Sequence, residues 1–165
     1  MATIQQFKHI QAFIFDMDGV LTDGKLYIGP EQDIQRTSHM RDGYALHQAV
    51  EKGYTIIIIS GAHSESYYQR LYRLGVRHIY MGVKDKLAQL DSLVAQSIVD
   101  KSQVLYMGDD VPDKPAMQAC LLSSCPADAC DDIKMVAQYI SPFKGGEGCV
   151  RDVIEKVLRV RGDWD

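Results

Sequence analysis

Ala12-Phe13-Ile14-Phe15-Asp16-Met17-Asp18-Gly19-Val20-Leu21-Thr22-Asp23-Gly24 is the stretch whose reading decides the fold. Four apolar residues run straight into a carboxylate pair and a glycine, the pattern of a strand buried on both faces that ends at a site. Three further runs end in a similar way: Tyr54 to Ile59 at Ser60-Gly61, Ile79 to Met81 shortly before Lys84-Asp85-Lys86, and Val104 to Met107 at Gly108-Asp109-Asp110. Read as parallel strands of one sheet, they bring all four motifs to its carboxyl edge, where open α/β sheets build their sites.

Between these runs the apolar spacing becomes helical. Asp42 is placed to cap a helix carrying Ala45, Leu46, Ala49 and Val50, which Gly53 closes. Ser64 is placed to cap a second, with Tyr67, Tyr68, Leu71 and Leu74 at helical spacing before Gly75; Leu87, Leu90, Leu93 and Val94 mark a third. Downstream, the pattern predicts a short helix over 113–119, a strand over 121–124, a helical segment over 133–137 and an amphipathic helix from about 149 to 160. One insertion breaks the rhythm. Lys25 to Ile28 and Ile34 to Met40 flank Gly29-Pro30-Glu31 and read as a β-hairpin over about 25–40. The expected fold is α/β: a Rossmann-like, doubly wound parallel sheet with right-handed crossovers, in a single domain over 1–165.

Bulk properties narrow the class. A chain of 165 residues, 46% of them hydrophobic, suits one domain, and a domain of this size buries roughly 70% of its unfolded surface. The formal net charge of −4, with basic residues scattered among acidic ones, argues against nucleic-acid binding. There is no leader-like segment and no apolar stretch near the ~20 residues that span a bilayer, so a cytoplasmic protein without a membrane role is expected. Cys120, Cys125, Cys130 and Cys149 lack Cys-x-x-Cys spacing and a histidine spaced to complete a zinc site, and read as free thiols of a reducing compartment.

The motifs together fit metal-assisted phosphoryl transfer. A phosphate monoester carries negative oxygens, so its hydrolysis needs a cation, an in-line nucleophile and a proton for the leaving alkoxide. Two residues apart on an extended segment, Asp16 and Asp18 point the same way and can divide that work: Asp16 as nucleophile, Asp18 as acid/base. Asp16, Asp18 and Asp109 form an oxygen-rich set suited to Mg²⁺, with Asp110 and Asp113 as candidates to ligate the ion or to support its ligands. Ser60 offers a hydroxyl and Gly61 an accessible amide to a phosphoryl oxygen, and Lys86 a fixed positive charge. Taken alone, a Ser-Gly after a strand is a turn and a lysine at a helix start is a solvated face. Their joint occurrence in order at strand ends carries the functional reading.

These residues resemble a family. Asp16 to Gly24, Ser60-Gly61, Lys86 and Gly108-Asp109-Asp110-x-x-Asp113 are similar to the four motifs of the haloacid dehalogenase superfamily, over nearly the whole chain. The resemblance implies a Mg²⁺-dependent phosphatase with Asp16 as nucleophile, Asp18 as acid/base, Ser60 and Lys86 at the phosphate and Asp109 at the metal. The spacings between motifs leave no room for a cap domain. The hairpin, Arg41-Asp42-Gly43 and Lys144-Gly145-Gly146-Glu147-Gly148 further resemble the capless phosphatases of 3-deoxy-D-manno-octulosonate 8-phosphate (KDO 8-phosphate) in lipopolysaccharide precursor synthesis. That implies a homotetramer in which hairpins pack around a central axis and a neighbour covers each site.

One position departs from that pattern. Where these phosphatases often carry an arginine two residues after the motif serine, this chain has Ala62, then His63. His63 and Arg41 are substrate-contact candidates, and Arg70, Arg73, Lys84 and Arg151 are further cations for a sugar-acid carboxylate. The alternatives are a phosphatase of 2-keto-3-deoxy-nononate 9-phosphate, a phospho-accepting receiver-like domain and a non-catalytic oligomeric regulatory domain. The strand before Lys84 ends in Tyr80-Met81-Gly82 without the aspartate a receiver phosphorylates there.

Overall fold

Strand β1 (Ala12–Phe15) lies at the centre of a six-stranded sheet, flanked by β4 (Thr55–Ile59) on one side and β6 (Val104–Met107) on the other. The computed structural model describes residues 2–29 and 34–164. Beyond β4 lies β5 (His78–Tyr80); beyond β6 lie β7 (Leu122–Cys125) and β8 (Tyr139–Ile140), and every pairing in this sheet is parallel. Phe15 registers with Ile58 and with Met107, so the three central strands end level and present Asp16, Ser60 and the segment after Met107 along one edge.

Pleat alternation divides the core into two layers. Phe13, Phe15, Ile56, Ile58, Leu105 and Met107 face α2 (Met40–Glu51), α3 (Glu65–Arg73) and α7 (Cys149–Arg161), joined by Phe7 of α1 (Ile4–His9). Ile14, Ile57, Ile59, Val104 and Tyr106 face α4 (Lys86–Ala95), α5 (Lys114–Gln118) and α6 (Asp131–Lys134). Both faces of the central strands are dry, which is why their sequence reads as unbroken apolar runs rather than alternation.

Helix starts follow local chemistry, with one correction. Ser64 Oγ accepts the Tyr67 amide at 3.4 Å and Asp85 Oδ1 the Ala88 amide at 2.9 Å, capping α3 and α4. Asp42 does not cap α2. That helix begins at Met40 after His39, and Asp42, buried in its first turn, instead accepts the Arg151 amide at 2.7 Å. The carboxylate thus ties α2 to the amino end of α7, the helix it packs against most extensively, where glycine at position 148 supplies no side-chain cap.

The inserted hairpin is present but slight. Its strands, β2 (Tyr27–Ile28) and β3 (Ile34–Gln35), pair antiparallel over two residues each, and the expected turn at Gly29-Pro30-Glu31 lies mostly outside the described residues. Tyr27, Ile28 and Ile34 are exposed. The four cysteines are free, two buried and two half-buried. Among the described residues no helix is long and apolar enough to cross a membrane.

Candidate active site

Beyond Asp16 the chain leaves extended geometry. Asp18 and Gly19 interrupt an otherwise helical turn over Met17–Leu21, and Gly19 has φ +90°. A Cβ on Gly19 would also collide with the Asp109 carboxylate, so glycine is required here twice over. The glycine-rich segment at 145–146 packs on the same turn: the Gly146 amide donates to the Val20 carbonyl at 2.9 Å, and a Cβ on Gly145 would strike the Gly19 carbonyl.

At the carboxyl edge of the sheet a cleft of about 570 Å³ is lined by Asp16, Asp18, Ser60, Gly61, Lys86 and Asp109, with Gly24, Ala62, Val83, Lys84, Asp110, Pro112 and Asp113 around them. Oxygens of Asp16, Asp109 and Asp113 come within 4.8 Å of one another. Lys86 Nζ sits 2.9 Å from Asp16 Oδ1 and 2.7 Å from Asp113 Oδ1, and the Tyr106 hydroxyl donates to that same Asp113 oxygen at 2.9 Å. Three carboxylates therefore face one lysine, an excess of negative charge in a largely buried place. Burial, then Asp113, pushes the Asp16 carboxyl up to about 6 against the opposing pull of Lys86. Burial and the charges of Asp16 and Asp113 push Asp109 up to about 8. Burial opposes the charge on Lys86, but Asp113 and Asp16 outweigh it and its pKa is raised.

The group fits a divalent cation. Asp109 Oδ1 and Asp113 Oδ2 are buried with no hydrogen-bond partner, a costly arrangement unless an ion takes up their lone pairs. A hard cation with oxygen ligands also balances the excess charge.

Asp18 stands apart from this trio. Its carboxylate is held in a fork by Arg36, with Nε 2.7 Å from Oδ1 and a terminal nitrogen 3.0 Å from Oδ2, while the Thr22 hydroxyl donates to Oδ1 at 3.3 Å. The third carboxylate of the cluster comes instead from Asp113, while Asp18 lines the same cleft with its oxygens engaged by Arg36. Asp110 is also absent from the cluster; its Oδ1 accepts the Val111 amide at 2.8 Å at the start of a 3₁₀ turn. Ser60 is buried, and its Oγ accepts the Ala62 amide at 3.2 Å. Neither His63 nor Arg41 lines the cleft: His63 is exposed, and Arg41 borders a separate groove with His39 and Arg151. Of the other cations considered, only Lys84 reaches the lining. Trp164, near the chain end, packs edge-on against Tyr44, 6.2 Å between ring centres.

Arg36 and Tyr106 were not foreseen. Arg36 follows a two-residue strand in an insertion that has no periodicity to read. Tyr106 sits at an apolar position of β6, and only its hydroxyl, aimed at Asp113, departs from the core.

No protein-family model matches the chain. It is 35% identical to the 3-deoxy-D-manno-octulosonate 8-phosphate phosphatase KdsC of Yersinia pestis over 155 residues, 94% of this chain and 83% of that one. It is 33% identical to KdsC of Escherichia coli K12 over 162 residues, 98% and 86% of the two chains. The crystal structure of the Moraxella catarrhalis phosphatase of the same name, in complex with a magnesium ion, a phosphate ion and KDO, superposes with a TM-score of 0.94 at 32% identity, covering 98% of this chain and 93% of that one. Sheet, strand-end acidic cleft and these likenesses define a phosphoric monoester hydrolase of the haloacid dehalogenase superfamily. Within it, the chain belongs to the family of 3-deoxy-D-manno-octulosonate 8-phosphate phosphatases.

Proposed function

We propose that the chain hydrolyses 3-deoxy-D-manno-octulosonate 8-phosphate to KDO and phosphate in the cytoplasm, as a step toward a lipopolysaccharide precursor. The observation that carries this reading is the trio of buried Asp16 and Asp113 and half-buried Asp109 around Lys86, set at the strand ends of a chain of this family. Asp16, Asp109 and Asp113 would hold Mg²⁺, which when bound neutralises phosphoryl charge and keeps these carboxylates ionised. Asp16 attacks phosphorus and becomes an aspartyl phosphate as the P–O bond to the sugar breaks. Asp18 gives a proton to the leaving sugar oxygen and then takes one from the water that attacks the aspartyl phosphate, releasing phosphate and regenerating Asp16. The Ser60 hydroxyl, the Gly61 amide and Lys86 bind the transferring phosphoryl oxygens.

With no cap domain among the described residues, the cleft needs another means of excluding water. The exposed apolar hairpin supports assembly into a homotetramer in which a neighbour covers each site. Ala62 lines the cleft without offering a charge, which leaves the nine-carbon sugar acid as the competing substrate. Phosphate release from KDO 8-phosphate, 2-keto-3-deoxy-nononate 9-phosphate and hexose phosphates separates the readings. The highest kcat/KM is expected for the eight-carbon ester, and a preference for hexose phosphates would refute the assignment.

A further inference from the structure

We propose that Arg36 is a positioning residue for the Asp18 carboxylate, so that the inserted hairpin sets the geometry of proton transfer; this rests on Asp18 being the acid/base proposed above. The fork from Arg36 to both Asp18 oxygens is the most constraining contact on that carboxylate, and the Arg36 side chain is only 6% exposed. A side chain so enclosed is poorly placed to greet a ligand from solvent, and Arg36 does not line the cleft, whereas Asp18 does. An ionised carboxylate has about four lone-pair positions. Arg36 uses two and Thr22 a third, which orients the group while leaving capacity to exchange a proton.

Arg36 immediately follows β3, so the hairpin's placement sets where its guanidinium lies. The hairpin's ladder is two residues long, a length marginal by itself in water. The Asp23 amide reaches the Thr37 hydroxyl at 3.5 Å, at the outer limit of a hydrogen bond, whereas the charged fork makes two short contacts between this segment and the site. Whatever orders the hairpin also orders Asp18.

Leaving-group dependence tests this. Up to formation of the aspartyl phosphate, an alkyl ester needs a proton on its leaving oxygen and p-nitrophenyl phosphate does not. Arg36→Ala is expected to lower kcat/KM about 10–100-fold on KDO 8-phosphate, up to the low end of the ~10²–10⁴-fold a general acid contributes because the acid is misplaced rather than removed, and far less on p-nitrophenyl phosphate. Arg36→Lys, which keeps the charge but not the fork, should recover part of the loss. Equal losses on both esters, or a loss confined to KM, would overturn the inference by making Arg36 structural or a substrate contact. Asp18→Ala is measured beside it. If Asp18→Ala is leaving-group dependent and Arg36→Ala is not, the positioning role alone fails; if Asp18→Ala shows no such dependence, the acid/base assignment fails and this inference with it. Should Arg36→Ala not fold, Arg36→Gln carries the same comparison.

Discussion

The Tyr106 hydroxyl donates to Asp113 Oδ1 at 2.9 Å, on the oxygen that Lys86 also holds at 2.7 Å. One oxygen of Asp113 is thereby committed to the protein while its other, Oδ2, is left buried without a partner. Anchoring one oxygen and presenting the second is how a supporting group orients a metal ligand.

Tyr106→Phe should therefore weaken Mg²⁺ binding without emptying the site. Titration calorimetry is expected to give an affinity about 10-fold lower, and denaturant unfolding of the metal-free protein a loss of about 1.5–3 kcal/mol for a hydrogen bond to a charged group. Unchanged Mg²⁺ affinity would mean that Asp113 does not ligate the ion.

Lys86→Met removes the only cation in contact with Asp16 and Asp113 among the described residues. Leaving buried carboxylates uncompensated should destabilise the metal-free fold by about 3–5 kcal/mol, and saturating Mg²⁺ should return part of it. A metal-free variant as stable as the parent would show that the lysine is not offsetting buried charge.

Stability should depend on pH in a direction set by Asp16 and Asp109. Both carboxyls are raised above their ordinary value of 3.8, to about 6 and about 8, chiefly by burial. The metal-free folded state then binds more protons than the unfolded chain between about pH 4 and pH 8, so its stability falls as pH rises through that window. A bound divalent cation removes the penalty of ionising them, and below pH 6 it must displace their protons. The rise in Tm on adding MgCl₂ is expected to be larger at pH 8 than at pH 6. A rise that is equal at both would contradict the placement of the ion among these carboxylates.

The central strands and their motifs were legible because burial on both faces leaves an unbroken apolar run, and a run of four ending in a carboxylate has few other readings. The helix patterns through Leu71, Leu90 and Val153 were legible for the same reason, since each has a single apolar stripe against the sheet. Asp42 was misread because a capping residue looks alike in sequence whether it serves its own helix or one far along the chain. Strand β8 and helix α1 are too short to impose a period. At the site, the spacing of Asp16 and Asp18 was legible as two carboxylates on one cleft, but Asp18 is taken up by Arg36, and the carboxylate that joins Asp16 and Asp109 is Asp113, ninety-odd residues on, just past the end of a different strand. Arg36 was hidden for a related reason: its partner is set by where the hairpin folds back, which no local pattern encodes.

The claim on which the rest depends is that Asp16 is the group that becomes phosphorylated. Acid-quenching the enzyme during turnover, reducing it with borohydride and mapping its peptides by mass spectrometry tests this directly, because borohydride converts an aspartyl phosphate to homoserine. Homoserine at position 16, formed only when substrate is present, is the predicted result; homoserine at another position, or none under conditions where the intermediate of the Asp18→Ala variant should accumulate, would contradict the account.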